Sequence, residues 1–337
     1  MANFETIRLD KGMYKSGIPL TTQLEALDPS AAYKGTDMEH LDAYQRQLKR
    51  FDIRVKGEHS DPLEKFFHTS DAAALFPEYV SRAVQQGMKH QQDLDAILAS
   101  KTVIHSLDYR SIRIDDAFDK DLKQVAEGAF IPQTSIQLSE NLVRLHKRGR
   151  MLAASYEAIK FQRLDLFTVA LSQIGTYIAK AQMKDAVDLL LNGDSKGTNA
   201  AVQIETAGDT LAYGDLLALW NEFEDYQMDT IIASPDMAEA ILALEEFKDP
   251  QVSTNFLGTG KPVTPLGARL IRSSAVPKNT LIALDSSCAL EMVCAGEVNV
   301  EYDKLIDCQM ERAAITSTAG FAKIFPKATM ALKIKGA

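Results

Sequence analysis

The longest helical pattern in the chain runs from Ser155 to Gly193, and it constrains the fold more than any other stretch. Between Arg163 and Leu191 there is no proline and only one glycine. Asn192-Gly193 predicts the helix end, because glycine takes the left-handed conformation that a helix C-terminus often needs. At 1.5 Å per residue the helix is a rod of roughly 43 Å, which is long for a compact domain. The simplest alternative is a core helix of an α/β protein. The apolar residues that share one face recur at steps of three and four: Leu164, Phe167, Leu171, Ile174 and Ile178.

Composition excludes several classes of protein. A chain of 337 residues forms one large domain or two to three small ones. Its formal charge of −9 means that any contact with DNA is weak and does not read sequence. The three cysteines fit no usual zinc spacing and predict reduced, mostly packed thiols in a cytoplasmic environment. The N-terminus has no apolar signal core, and no stretch is apolar for long enough to predict a membrane span.

The first hundred residues show only short patterns. Residues 1–35 carry scattered glycines and prolines without a sustained period, which predicts an extended arm without a core of its own, held by neighbouring subunits. Thr36-Asp-Met-Glu39 is typical of a capping box and predicts a helix to about Ile53. Three further short helices are predicted over residues 61–67, 77–86 and 92–98, and Gly87 is expected to end the second of these.

A two-stranded ribbon is predicted next. Val103–Ile114, Ser135–Leu138 and Leu142–Leu145 have strand-like alternation, and a long charged segment separates the first from the others. Such a ribbon is marginal alone, so we expect it to protrude and lie on another molecule. The basic run His146-Lys-Arg-Gly-Arg150 follows it. That run is interpreted as a solvated patch or as a contact with an acidic neighbour or packaged nucleic acid.

The region after the long helix alternates helix and strand. Leu211–Tyr226 is predicted to be helical, with Trp220 in the core. Thr230–Ala233 predicts a buried strand, and Ser234-Pro235 predicts the start of a helix over residues 236–247. A mostly antiparallel C-terminal region is expected from the strands Ala268–Arg272, Thr280–Leu284, Leu290–Val293, Val298–Tyr302, Asp307–Ser317 and Ala328–Ile334.

This order of elements resembles the major capsid protein of tailed bacteriophages, the Hong Kong 97 fold family. The resemblance is carried by residues 125–159, 188–194, 229–244, 265–285 and 297–328. It implies an α+β fold made of an N-terminal arm with short helices (1–100), an E-loop ribbon with peripheral-domain strands (101–150), a spine helix of the peripheral domain (151–193), an axial domain (194–296) and closing peripheral-domain strands (297–337).

The same resemblance implies the function. We expect a structural protein, many copies of which close an icosahedral head around double-stranded DNA. Its implied partners are copies of itself in pentamers and hexamers, a portal protein, scaffold or decoration proteins, and packaged DNA by non-specific contact, with no membrane. It is expected in the virion after assembly in the host cytoplasm. The alternatives are an encapsulin-like nanocompartment shell and a soluble α/β enzyme with an unrecognised site. The residues expected at contacts between subunits are Asp119, Lys123, Glu127, Phe130, Arg144, Lys147, Arg148, Lys304 and Asp307.

The chain departs from some members of that family in two ways. Those members weld neighbouring subunits through an E-loop lysine and a peripheral-domain asparagine. Here the resemblance puts Gly128 at the lysine position and finds no asparagine close to Leu305, so we expect non-covalent shells. Lys123 and Lys304 are the nearest substitutes. Because the chain begins at Met1 without a removable scaffold segment, we also expect a separate scaffold or none.

No enzymatic motif is complete. The loop Gly258–Lys261 is not a phosphate cradle, because Asn255 replaces the first glycine and Pro262 follows the lysine. Residues 192–197 lack the bidentate acid of a calcium loop. The six histidines show no ligand spacing, and there is no Gly-x-Ser-x-Gly elbow. We therefore expect no catalytic residues, metal or cofactor.

Overall fold

A computed structural model describes residues 4–16, 18–89, 92–106, 108–114, 124–125, 127, 136–138, 142–194, 200–248, 266–296 and 298–336. Their α-helices are α1 (Leu20–Leu27), α2 (Ala43–Arg50), α3 (Ser70–Ala74), α4 (Phe76–Lys89), α5 (Gln92–Asp95), α6 (Tyr156–Phe161), α7 (Leu164–Asn192), α8 (Tyr213–Asn221), α9 (Pro235–Ala243) and α10 (Glu245–Lys248). Short 3-10 turns lie at Phe4–Thr6, Lys11–Ser16, Ser30–Tyr33, Leu63–Phe67 and Pro326–Ala328.

The strands of the same residues are β1 (Ser100–Ile104), β2 (Ile112–Ile114), β3 (Ile136–Leu138), β4 (His146–Ser155), β5 (Val202–Glu205), β6 (Thr230–Ala233), β7 (Arg269–Arg272), β8 (Thr280–Leu284), β9 (Leu290–Ala295), β10 (Asn299–Leu305), β11 (Met310–Lys323) and β12 (Thr329–Lys333). The chain divides into two compact units. The first unit contains residues 1–91, 147–179 and 296–318, and the second contains residues 92–146, 180–295 and 319–337.

The core of the first unit forms between helices α2 to α4, residues 164–179 of α7 and strand β10. Aromatic rings fill it: the centroids of Phe66 and Tyr79 are 5.3 Å apart, and those of Phe76 and Tyr302 are 5.5 Å apart. The Tyr79 hydroxyl donates a hydrogen bond of 2.8 Å to the Leu164 carbonyl, which joins α4 to the start of α7. Strand β11 pairs here through residues 310–316 with β10, antiparallel, and it also pairs with β4.

The N-terminal segment belongs to this core, so the predicted extended arm over residues 1–35 was wrong. Leu20 and Leu24 of α1 are buried among the apolar residues of α2 and α4. The Arg46 guanidinium donates to the Asp28 carboxylate at 2.6 Å, and both side chains are buried. The segment is therefore ordered by its own chain. Sequence periodicity missed it because its turns interrupt every apolar repeat.

Several predicted boundaries in the first unit also change. The capping box lies at Asp42 and Gln45, not at residues 36–39, since each side chain accepts a hydrogen bond from the other residue's backbone amide. Gly87 lies inside α4 and does not end it. The long helix is confirmed with a shift of one residue, and Gly193 ends it with φ of +75°.

The second unit contains a five-stranded sheet of order β5-β12-β8-β6-β7. Strands β5 and β12 are parallel, as are β6 and β7, while β8 runs antiparallel to both β12 and β6. Alternate residues face opposite sides. Ile231 and Leu281 pack with α8 and α9, whereas Ile232 and Ile282 pack with the last turns of α7.

The predicted bounds are confirmed for the two strands of the second unit that are fully buried. Strands β6 and β8 have the predicted bounds, and every residue of both is buried. The single strand predicted over residues 103–114 is instead the end of β1 and the whole of β2. The strand predicted over residues 142–145 is not present. Strand β9 pairs with β1 in parallel and with residues 319–323 of β11 in antiparallel orientation.

Candidate assembly surfaces

The base of the predicted ribbon is present. Strands β2 and β3 pair antiparallel, with Ile112 opposite Leu138 and Ile114 opposite Ile136. Just before it, the Val143 amide donates to the Tyr109 carbonyl at 2.9 Å. Most of the segment between the two strands lies outside the described residues, so the length and protrusion of the ribbon stay predictions.

A buried carboxylate fixes the chain that leads into the ribbon. Glu291 of β9 accepts hydrogen bonds from Thr102 at 2.6 Å, Tyr109 at 2.7 Å and Ser111 at 2.5 Å. Burial raises the pKa of the Tyr109 hydroxyl, and the bond to Glu291 raises it further, so the phenol stays a donor. Two of these bonds hold residues 109–111 against β9, and the third joins Thr102 of β1 to the same carboxylate.

The basic run lies on strand β4. Lys147 and Arg150 are exposed, and Arg148 is half-buried. Gly149 is required by close packing, because a Cβ there would lie 2.4 Å from the Ile315 carbonyl oxygen of β11. The Arg150 guanidinium lies 5.9 Å from the centre of the Tyr177 ring, a cation–π distance. Strand β4 thus presents positive charge beside an exposed aromatic ring of α7.

The outer face of α7 is apolar. Residues 166–179 include no charged side chain. Leu171, in the predicted stripe, is fully buried, but Leu166, Val169 and Tyr177 are each more than half exposed. A helix that is apolar all round is normally buried on every side. No part of the chain that the structure describes covers Leu166, Val169 or Tyr177.

The turn between β10 and β11 presents a second apolar group. Ile306 is 78% exposed, and Asp307 and Cys308 beside it are also exposed. Single exposed apolar residues are common, but one at a hairpin tip is well placed to insert into another surface.

Trp220 corrects a prediction. It was expected in the core, but it is 51% exposed on α8, and Leu217 one turn before it is 41% exposed. Leu216 and Leu219 fill the core position instead. Apolar residues cover more of the α8 circumference than one buried face needs. The sequence pattern therefore could not show which of them are buried and which are exposed.

The predicted contact residues lie in separate places. Asp119, Lys123 and Phe130 fall outside the described residues. Glu127, Arg144, Lys147 and Asp307 are exposed and Arg148 is half-buried, which is compatible with contacts but does not test them. Lys147 and Arg148 share β4, Lys304 and Asp307 share the β10–β11 hairpin, and Arg144 lies beside Gly320 in the second unit. The sequence analysis did not select four exposed apolar residues: Leu166, Val169, Trp220 and Ile306. The sequence signal that could have found them is an apolar residue on an element whose buried face is already filled by other apolar residues.

The described residues show little reactive chemistry. Among them, no group of three or more histidine, cysteine or acidic side chains is placed to hold a metal ion. No helix within the described ranges is long and apolar enough to cross a membrane. Cys294 is buried, Cys288 is half-buried and Cys308 is exposed. Burial raises the pKa of the Cys288 thiol to about 11, which makes it a poor nucleophile. The loop at 258–262 and residues 195–197 lie outside the described residues.

Comparison with known proteins supports a shell protein. Residues 139–300 match a family model described as phage capsid protein. The capsid of a native GTA particle has a TM-score of 0.54 and 14% identity, over 74% of this chain and 90% of that chain. Gordonia phage Cozz gives a TM-score of 0.53 and 11% identity, over 73% and 87% of the two chains. A virus-like particle from Pyrococcus furiosus gives 0.50 and 14%, over 77% and 99%. No curated protein matches.

These identities are low, so the solved structures establish the fold alone. The described helices and mixed sheets have the Hong Kong 97-type fold of phage capsid shells. Residues 139–300, slightly less than half of the chain, are similar to the phage capsid protein family.

Proposed function

We propose that the chain is the major head subunit of a tailed bacteriophage, and that copies of it close an icosahedral shell around packaged double-stranded DNA. The observation that carries this proposal is the match of residues 139–300 to the phage capsid family model, which spans β4, α7 and most of the second unit. Within this role, β2 and β3 begin an E-loop ribbon, α7 is the spine helix, and residues 194–296 form the axial domain.

The surface of the chain supports self-association. Apolar groups are exposed on α7, on α8 and at the β10–β11 turn, so several separate faces lose water when copies assemble. Stable interfaces between obligate partners bury large apolar areas of this kind. The net charge of −9 restricts contact with DNA to local basic groups such as Lys147 and Arg150 of β4. Portal, scaffold and decoration proteins complete the proposed partners, with assembly in the host cytoplasm.

A shell that encloses protein cargo is the second candidate. The match to the virus-like particle covers 99% of that chain, which favours a simple closed shell. The segment of about twenty residues that separates β2 from β3 favours the phage role, since a long ribbon spans neighbours.

Negative-stain microscopy of purified particles, with nuclease digestion and analysis of the contents, tests the proposal. Uniform shells that protect double-stranded DNA from nuclease are the expected result. Shells that contain only a second protein would favour the cargo alternative. A monodisperse subunit that forms no shell, with or without co-expressed phage assembly proteins, would refute both.

A further inference from the structure

The described residues of the second unit leave an uncharged surface on α8 exposed. Trp220 and Leu217 lie one turn apart, so their side chains are neighbours on the helix. Between Leu211 and Asn221 the sole charged residue is Asp215. Its carboxylate is buried and accepts bonds of 2.9 Å from the backbone amides of Ala207 and Ala212. The exposed side of α8 is therefore free of charge.

Negative charge follows directly after that helix. Glu222, Glu224 and Asp225 are all exposed. Through Asp215, the start of α8 is tied to Ala207, two residues beyond the edge strand β5. We call Leu217, Trp220, Glu222 and Glu224 the α8 surface: an apolar pair beside an acidic run.

A second surface of the same unit, at one edge of its sheet, carries positive charge beside an exposed apolar side chain. Strand β7 is the other edge strand, and α9 packs on β6 and β7. Arg272 at the end of β7 and Lys278 after it are exposed, and Leu242 of α9 is half-exposed. The Asn279 amide donates to Asp236 at 2.6 Å, which holds the residue after Lys278 at the start of α9. We call Leu242, Arg272 and Lys278 the β7 surface.

We propose that the α8 surface of one copy binds the β7 surface of a second copy, an inference that rests on the proposed shell function. The two surfaces lie on different elements of one unit, each has an exposed apolar group, and their charges are opposite. Such a contact is head-to-tail, so each copy uses one surface for each neighbour and the contact repeats. Tryptophan is typical of the residues that dominate binding energy at interfaces, and the charges fix the orientation.

Trp220 is the single tryptophan of the chain, so fluorescence excited at the long-wavelength edge, where the ten tyrosines do not absorb, reports on this surface alone. We expect its emission to shift to shorter wavelength, and its quenching by acrylamide to fall, when wild-type subunits assemble into shells. Unchanged emission and quenching in intact wild-type shells would overturn the inference and leave the proposed function standing. Wild-type protein that forms no shell at all would overturn the proposed function and this inference together.

Charge reversal tests the pairing of the two surfaces. Glu222→Lys with Glu224→Lys, and separately Arg272→Glu with Lys278→Glu, should each abolish shells, while the fourfold variant should recover them. Glu157→Lys, at an exposed position on α6 in the first unit, is the matched control and should assemble normally. Thermal melts of the unassembled variants should match wild type, which separates lost contacts from lost folding. Normal assembly of either reversed pair, or failure of the fourfold variant to recover shells although it folds, would show that the surfaces do not meet.

Discussion

Two residues without side chains allow helices α4 and α7 to cross in the first unit. A Cβ on Gly87 would lie 1.8 Å from the Ser172 carbonyl oxygen, and one on Gly175 would lie 2.0 Å from that of Val84. Because both obstacles are backbone atoms, the helices must move apart to accept any side chain. From the sequence, Gly87 predicted a helix end and Gly175 was a single interruption. The two glycines meet because two segments far apart in the chain pack together. No local sequence pattern carries information about that contact.

Gly175→Ala should lower the free energy of unfolding of the unassembled subunit by about 3 kcal/mol, as overpacking against a rigid neighbour does. Urea denaturation measures it. The matched control is Gly214→Ala on α8, where a Cβ would meet no atom within 4 Å. That change should be neutral or stabilise by up to about 1 kcal/mol, because alanine favours helix over glycine. Equal effects of the two substitutions would contradict the crossing.

A buried lysine near the end of β11 should make stability depend on pH. Burial lowers the pKa of Lys323 from 10.5 to about 8. Between those values the unfolded chain binds more protons than the folded one, so the contribution of Lys323 to the free energy of unfolding rises with pH. The stability advantage of Lys323→Met over wild type should therefore shrink by about 2 kcal/mol between about pH 7.5 and about pH 9.5. Lys327→Met, at an exposed position nearby, should show no such change. A constant difference across this range for Lys323→Met would show that the ammonium is not desolvated.

At the scale of elements, the N-terminal segment supports the first unit. Deletion of residues 1–35 would remove Leu20 and Leu24 from the core and leave the buried Arg46 without Asp28. We therefore expect the deletion to lower the melting temperature of the subunit sharply or prevent folding. The milder Asp28→Asn should cost about 3 kcal/mol, because the buried Arg46 then keeps only the more distant Glu25, at 3.9 Å, as an ionic partner. If the deleted chain melted at the wild-type temperature, the segment would be an arm outside the core, as the sequence predicted.

The two faces of α7 should respond differently to the same substitution. Leu171→Asp places a charge in the core, where it costs several kcal/mol, and should abolish soluble folded subunit. Leu166→Asp, on the exposed face, should leave circular dichroism and the thermal melt of the subunit unchanged while it reduces the yield of shells. Wild-type yields of shells from Leu171→Asp would refute the core position. Unchanged assembly of Leu166→Asp would show that the outer face stays in water.

Elements with a strong internal period could be predicted closely. The apolar stripe of α7 and the continuous apolar runs of β6 and β8 gave their bounds to within one residue, because burial of a face dictates the period. Strand β5 was missed since Val202–Glu205 is a largely exposed edge, and its pairing depends on β12, more than a hundred residues later. Trp220 was misplaced for a related reason: hydrophobicity alone does not tell a core residue from one that another molecule covers.

For the whole molecule, the order of elements predicted the capsid fold, while no single motif did. The contact residues are harder to predict, because a contact between copies depends on two surfaces that meet only after folding. Asp307 was selected by charge, yet its neighbour Ile306 is exposed and offers more apolar area. Charge marks the rim of an interface more often than its centre.

The last prediction is that mature particles dissociate completely into single chains of 37.2 kDa when heated in detergent with reductant. An isopeptide weld needs a lysine amine and an asparagine amide together in a dry pocket, usually with a carboxylate as base. Gly128 removes the expected lysine, and residues 300–308 contain no amide side chain. The nearest asparagine, Asn299, is exposed and donates to Glu301 at 3.2 Å, so it lies in water. Cys308 is exposed, but any disulfide it forms is removed by the reductant. Denaturing electrophoresis decides the question: a ladder of multimers that survives this treatment would prove a covalent weld, and substitution of Lys123, Lys304 and Asn299 in turn would then locate it.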